Sequence, residues 1–272
     1  MSSTIAFIGA GNMASALING LLSDGYAADN IIASDQLEEK RQTLAASGVL
    51  TTDSNLDAVE KADVVVLAVK PQVLQQVCEE IRPAVEQCQP LVVSIAAGIR
   101  EASLQQWLGE QTAIVRCMPN TPAMIQAGAT VLHANPQASD EQKDQAESIL
   151  RAVGVTRWLD SEALIDTATA VSGSGPAYFF LIMEAMESAA IELGLPQETA
   201  HLLTLQTALG AARMAMESDD DAAELRRKVT SPGGTTEAAI NHMLDQDLPG
   251  LFAQAINKAK QRSEELSQML AQ

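Results

Sequence analysis

The run Ile5-Ala6-Phe7-Ile8-Gly9-Ala10-Gly11-Asn12-Met13-Ala14 carries a short apolar strand straight into a glycine-rich turn, and Ala16, Leu17, Gly20 and Leu21 continue it at helical spacing. Strand, tight turn and helix in immediate succession are what a dinucleotide pyrophosphate needs. At the spacing G-x-G-x-x-A, Gly9 allows the turn, Gly11 lets backbone approach phosphate, and Ala14 keeps the helix close to the strand. The opening helix offers unpaired N–H groups and its positive dipole end to the anion. Gly9, Gly11, Asn12 and Met13 are therefore candidate cofactor contacts. A plain strand–helix connection is the alternative reading of the same glycines, and the setting favours the nucleotide.

The alternation continues. Short β-branched runs predict strands at Thr4–Ile8, Asn30–Ser34, Val49–Thr51, Asp63–Val69, Leu91–Ile95, Ala113–Cys117, Ala129–His133 and Val155–Leu159. Val64–Val69 and Leu91–Ile95 are apolar without alternation, as strands buried on both faces are. Helical patterns such as Pro71–Val85 and Asp140–Val153 lie between them, so a doubly wound parallel sheet of the α/β class is expected. After Leu159 the strand signal stops. Helices are predicted at Pro176–Leu193, Pro196–Met216, Ala222–Val229, Pro232–Leu244 and Leu248–Leu270. The expected division is a Rossmann-type domain over 1–160 and an all-helical domain over 161–272. Ala177–Met183 is apolar around the whole helix, and a helix with no wet face must be enclosed. That surplus of apolar helix points to a second copy of the chain rather than a self-contained domain.

Charge narrows the partners. Lys and Arg number 17 against 35 Asp and Glu, a net charge of -18, which repels nucleic acid and anionic membranes. Cys78, Cys88 and Cys117 form neither a disulfide framework nor a C-x-x-C pair. Met1-Ser2-Ser3-Thr4 leads directly into a core strand, and the longest apolar stretches are about half what a membrane span requires. A cytoplasmic protein is expected. The three histidines, His133, His201 and His242, are scattered, no H-E-x-x-H occurs, and no metal site is expected.

Strand ends hold the candidate chemistry. At Ile32-Ala33-Ser34-Asp35, the acid would pair with a ribose 2′-hydroxyl and favour NAD. Ser34 could instead donate to the 2′-phosphate of NADP, with Lys40 or Arg41 reaching over, while Asp35 caps the next helix. Both readings stand. Ala68-Val69-Lys70-Pro71 closes another strand, with Lys70 either a cation near the cofactor or a solvated strand end. Ser94-Ile95-Ala96-Ala97-Gly98 lacks bulk where a nicotinamide ring would slide in. In Met118-Pro119-Asn120-Thr121-Pro122, two prolines fix a pair suited to amide recognition or to a structural turn. Two junctions follow in the helical half. Ser172-Gly173-Ser174-Gly175-Pro176 opens one helix, and Ser231-Pro232-Gly233-Gly234-Thr235-Thr236 opens another. The second reads as a carboxylate trap, with Ser231 at an N-cap, Pro232 at the first helical position, and the Gly233 and Gly234 N–H groups bare; a plain cap is the alternative for either junction, and two of them beside a dinucleotide fold favour a binding site.

Taken together, these motifs resemble the pyrroline-5-carboxylate reductase family along the whole chain. The Ser172–Tyr178 and Ser231–Thr236 motifs are the most specific. The resemblance implies a Rossmann domain, a helical dimerisation domain interlaced with a partner, and a homo-oligomer built from dimers. It implies hydride transfer from NADPH, or less often NADH, to the C=N bond of 1-pyrroline-5-carboxylate, giving L-proline. By the same resemblance Thr236 meets the ring nitrogen and the Ser231, Gly233, Gly234 and Thr235 backbone holds the carboxylate, with Ser174 beside it. Ser34, Asn55, Ala68, Val69, Lys70, Pro71, Ser94 and Ala96 line the cofactor, and Asn120 is assigned to it as well. NADP(H) is the expected cofactor, with NAD(H) possible because Asp35 departs from the family's pattern. A protonated imine needs placement more than a strong acid. The alternatives are a reductase of 3-hydroxyacids or other cyclic imines and a non-catalytic dinucleotide sensor. Against the hydroxyacid, no lysine lies between Lys143 and Lys228, where such dehydrogenases keep theirs.

Overall fold

A computed structural model of the chain describes residues 3–270; Met1 and Ser2, the lead-in to the first strand, lie outside the described residues, as do the last two. The strands β1 (Ile5–Ile8), β2 (Ile31–Ser34), β3 (Leu50–Thr52), β4 (Val64–Leu67), β5 (Leu91–Ser94), β6 (Ile114–Met118), β7 (Gly128–Ala134) and β8 (Gly154–Trp158) join one sheet in the order β3-β2-β1-β4-β5-β6-β7-β8. Helices α1 (Asn12–Ser23), α2 (Glu38–Ala45), α3 (Asn55–Val59), α4 (Pro71–Cys88), α5 (Glu101–Leu108) and α6 (Asp140–Arg151) connect most of them.

Side chains alternate across each strand and build a core on either face of the sheet. Phe7, Val66 and Val93 face one core, with Leu17 and Leu150. Ile8, Leu67 and Val92 face the other, with Leu74 and Leu104. Each such side chain contributes about 1.5–3 kcal/mol when fully buried, so the continuous apolar runs of β4 and β5 bind the sheet into place.

One expectation needs correcting. The sheet is not wholly parallel, because β7 runs antiparallel to β6. Their link, residues 119–127, holds only a 3-10 turn (Thr121–Ile125). A parallel return needs a crossover of about a dozen residues or more, and this link is too short. The return through α6 then sets β8 parallel to β7.

By contact the chain divides into two compact units. The first runs to Ser174 and resumes at Lys258, so residues 161–174 and the end of the last helix cluster with the sheet. The expected division near residue 160 follows the change from strand to helix. Within this first unit lie α7 (Leu164–Ala168) and a π turn (Thr169–Gly173). The second unit, Gly175–Asn257, contains α8 (Gly175–Glu192), α9 (Gln197–Glu217), α10 (Ala222–Lys228), α11 (Thr235–Asp245) and the start of α12 (Leu248–Leu270). Along α8 the only buried residue is Gly175, and Phe179, Phe180 and Leu181 stand exposed in the single chain.

Candidate active site

The strand order reverses between β1 and β4, and ligands of open α/β sheets bind beyond the carboxyl ends at such a switch point. Gly9 follows β1 there with φ +98, and a Cβ on it would stand 2.9 Å from the backbone of Ala68. That backbone angle and that approach both require glycine. Around Gly11 the situation differs, because a Cβ would meet nothing within 4 Å. Its smallness serves neither folding nor packing and leaves open space. Gly11 is also the N-cap of α1 and supplies no side-chain cap, so the helix dipole and the first N–H groups, those of Asn12 and Met13 among them, face outward. An open cradle with outward N–H groups at the end of β1 is the result.

At the end of β2 the two readings separate. The Asp35 carboxylate accepts from Ala10 N (2.9 Å), Leu37 N (2.9 Å) and Lys40 Nζ (3.2 Å). Burial alone would raise this carboxyl, but those N–H bonds and Lys40 outweigh it and hold it below the ordinary carboxylate range. The acid thus stitches the glycine turn to the start of α2. Ser34 is buried, and its hydroxyl donates to Asn55 Oδ1 at 2.7 Å. Asn55 Nδ2 in turn reaches the Glu80 carboxylate at 3.2 Å, a partner that no local pattern pairs with it. Arg41 Nη1 donates to the carbonyl of Asp35 at 2.6 Å, leaving its cation at this strand end.

Register places Ile8 beside Leu67 and Leu67 beside Ser94, so the tails of β1, β4 and β5 lie side by side. Ala68 and Val69 are half-buried there, Lys70 is exposed as the N-cap of α4, and Pro71 takes the first helical position. Ser94 and Ala96 are buried. Asn120 is committed to the fold: its Nδ2 donates to Ser172 O at 3.0 Å and its Oδ1 accepts from Ala129 N at 2.9 Å. Structural bracing, the second of its two readings, is what its amide performs. Ser174 closes the π turn, its N–H donating to Thr169 O at 2.8 Å.

The Ser231–Thr236 turn lies in the second unit and differs from its expected form. Ser231 is not an N-cap and Pro232 is not the first helical residue: α11 is capped by Gly234 and begins at Thr235. Gly233 takes φ +70, which breaks the helical path after Pro232. Nor are the glycine N–H groups bare. Gly234 N donates to Ser231 O at 3.0 Å, and Gly233 N donates to Glu237 Oε2 at 2.7 Å. Thr236 is exposed in the first turn of α11. Glu237 had no signal in the sequence, and its partner follows from the turn.

Two partly buried ion pairs had no signal in the sequence. Arg116, 2% exposed, meets Glu162 at 2.7 Å, and Arg100 meets Asp166 at 2.6 Å. Among the described residues no group of His, Cys, Asp or Glu is placed to hold a metal ion.

Residues 162–266 match the family model described as pyrroline-5-carboxylate reductase dimerisation, and residues 4–98 match that of the NADP oxidoreductases, coenzyme F420-dependent. A pyrroline-5-carboxylate reductase of Pseudomonas aeruginosa is 56% identical over 269 residues, covering 98% of this chain and 98% of that protein. The solved structure of a pyrroline-5-carboxylate reductase from Coxiella burnetii is similar with a TM-score of 0.95 at 48% identity, over 98% of this chain and 99% of that one. A Plasmodium falciparum pyrroline carboxylate reductase, solved with NADP bound, is similar with a TM-score of 0.87 at 27% identity, over 98% of both chains.

Proposed function

The chain belongs to the pyrroline-5-carboxylate reductase family, and from that premise we propose which residues carry the reaction, which cofactor it prefers and how it assembles. It is an oxidoreductase acting on a CH–NH donor, and the reaction is the last step of proline biosynthesis. When bound, a reduced nicotinamide supplies the hydride that reaches C5 of the pyrroline ring.

The single observation that carries the assignment of parts is the uncapped start of α1 behind Gly9 and Gly11 at the switch point. Gly9, Gly11, Asn12 and Met13 hold the pyrophosphate there through backbone N–H groups and the helix dipole. Ala68, Val69, Lys70 and Pro71 line its course, and Ser94 and Ala96 leave room for the nicotinamide. Ser34 and Asn55 shape the adenosine end from beneath, and Asn120 acts by bracing. NADP(H) is preferred over NAD(H): Asp35 is tied to two N–H groups and Lys40, so a 2′-phosphate meets Lys40 and Arg41 rather than an uncompensated acid.

The substrate carboxylate is held by the backbone of Ser231, Gly233, Gly234 and Thr235. The Glu237 carboxylate seated on Gly233 N supports this, since it is the kind of group the turn accepts. Thr236 donates its hydroxyl toward the ring nitrogen and orients C5. The iminium is already electrophilic, so orientation outweighs acid strength.

The dimerisation region spans residues 162–266, and we place the enzyme in the cytoplasm as a homodimer or a multiple of dimers. Three free cysteines and, among the described residues, no helix long and apolar enough to cross a membrane are consistent with that setting. The test mixes the protein with 1-pyrroline-5-carboxylate and NADPH or NADH, follows nicotinamide absorbance, and identifies the product. Proline formation faster with NADPH is expected. Binding of cofactor without turnover would leave a dinucleotide sensor, and faster turnover with NADH would reverse the preference.

A further inference from the structure

The segment that follows β8 makes contacts the reaction chemistry leaves unused. Glu162 Oε1 accepts from Arg116 Nη1 at 2.7 Å and from the backbone N–H of Glu101 at 2.9 Å. Asp166, four residues on, accepts from Arg100 Nη2 at 2.6 Å. Neighbouring acids thereby grip neighbouring residues at the start of α5, a helix whose own N-cap, Arg100, provides no side-chain cap. The Glu101 side chain turns the other way, to His133 Nδ1 at 2.6 Å. Farther along, Ser172 O receives the amide of Asn120 at 3.0 Å. Residues 162–172 thus fasten both connections that leave β5 and β6 at their carboxyl ends.

A second element fastens the segment itself. Ser263 Oγ of α12 donates to Asp166 Oδ1 at 2.7 Å. One and two turns on, Leu266 and Leu270 lie against Gly98, where a Cβ would come within 3.2 Å of Leu270 Cδ1. Asp166 is 1% exposed, and both of its oxygens are engaged by partners from different elements. Buried ion pairs return little net stability against desolvation, and their best-attested use is to select one geometry. The π turn at Thr169–Gly173 adds a local irregularity of the kind found beside functional sites.

We infer that Glu162 and Asp166 are positioning residues for the nicotinamide end of the cofactor: with Ser263 they set the loop from Ser94 to Glu101. This rests on the reading of Ser94 and Ala96 as cofactor contacts. The variants Ser263→Ala and Asp166→Asn test it through three measurements: amide exchange of residues 94–101 without cofactor, affinity for NADPH by nicotinamide fluorescence, and affinity for 2′-phospho-ADP-ribose, which lacks the nicotinamide. Ser263→Ala is expected to speed exchange across 94–101 and to weaken NADPH about fivefold. Binding of 2′-phospho-ADP-ribose stays unchanged, and Ser263→Thr restores both properties. If Asp166→Asn fails to fold, Ser263→Ala decides alone. Unchanged exchange and NADPH affinity in folded Ser263→Ala overturn the proposal, and so does equal weakening of both ligands, the mark of a merely structural role. Gly11→Val separates the two readings. Retained NADPH binding in that variant refutes the cofactor assignment and this proposal with it. Lost binding there, beside an indifferent Ser263→Ala, refutes the positioning role alone.

Discussion

A carboxylate already sits on the N–H of Gly233, and it belongs to Glu237 of the same turn. If the turn takes the substrate carboxylate as proposed, substrate and Glu237 compete for one donor, and charge sets the strength of the resident. A hydrogen bond to a charged group contributes about 1.5–3 kcal/mol against about 1 for a neutral one, so Glu237→Gln is expected to lower the KM for pyrroline-5-carboxylate several-fold. A raised KM would mean that Glu237 supports the turn rather than blocking it. Thr236→Ala should reduce kcat by about one order of magnitude, the worth of one hydrogen bond that strengthens in the transition state, with NADPH affinity untouched; steady-state and binding measurements together check both halves. At the end of β2, Arg41→Ala should cut kcat/KM for NADPH about tenfold and leave that for NADH unchanged, as expected for loss of a charge-assisted phosphate contact. Equal loss with both cofactors would confine Arg41 to its bonds with the Asp35 and Gln36 carbonyls.

The glycine turn and its neighbours act as one element. Asp35 bridges the N–H of Ala10 and the N–H of Leu37, so the carboxylate read as a possible ribose ligand is also the brace of the glycine turn. Its pKa is held down in the folded chain. The stability it contributes is therefore fully present above the unfolded value of about 3.9 and is lost as pH falls through the lower folded value. Asp35→Asn should lower Tm at pH 7, and the gap from the parent should close as pH drops below about 4. A gap that persisted in acid would mean that shape, not charge, carries the contribution. The same element shows where local pattern is enough. Uninterrupted β-branched runs such as Val64–Val66 have no stable place but a strand buried on both faces, and β4 and β5 lie where their composition puts them. The direction of β7 was not written locally, because alternation is the same up or down a sheet; the short link of residues 119–127 decided it.

For the whole molecule, apolar surface is the governing quantity. Phe180 is 64% exposed in the single chain and lies on a helix that buries almost nothing of its own, and such a surface is stable in water only when covered. Phe180→Glu should dissociate the assembly, seen as a smaller sedimentation coefficient, and activity should fall with it; an intact assembly would place the interface elsewhere on the helical unit. The chain by itself determined the strand–turn–helix cradle, the two cores of the sheet and the helical half, because each depends on residues near one another in sequence whose periodicity or backbone freedom has one solution. Only the tertiary structure decided that the Asn120 amide joins Ser172 to Ala129, that Ser34 points into Asn55, that Glu237 occupies Gly233, and that Glu162 and Asp166 grip the start of α5. Those outcomes join residues from different elements, and a hydrogen bond's partner is set by where the backbone brings two groups within about 3 Å, which no local pattern encodes.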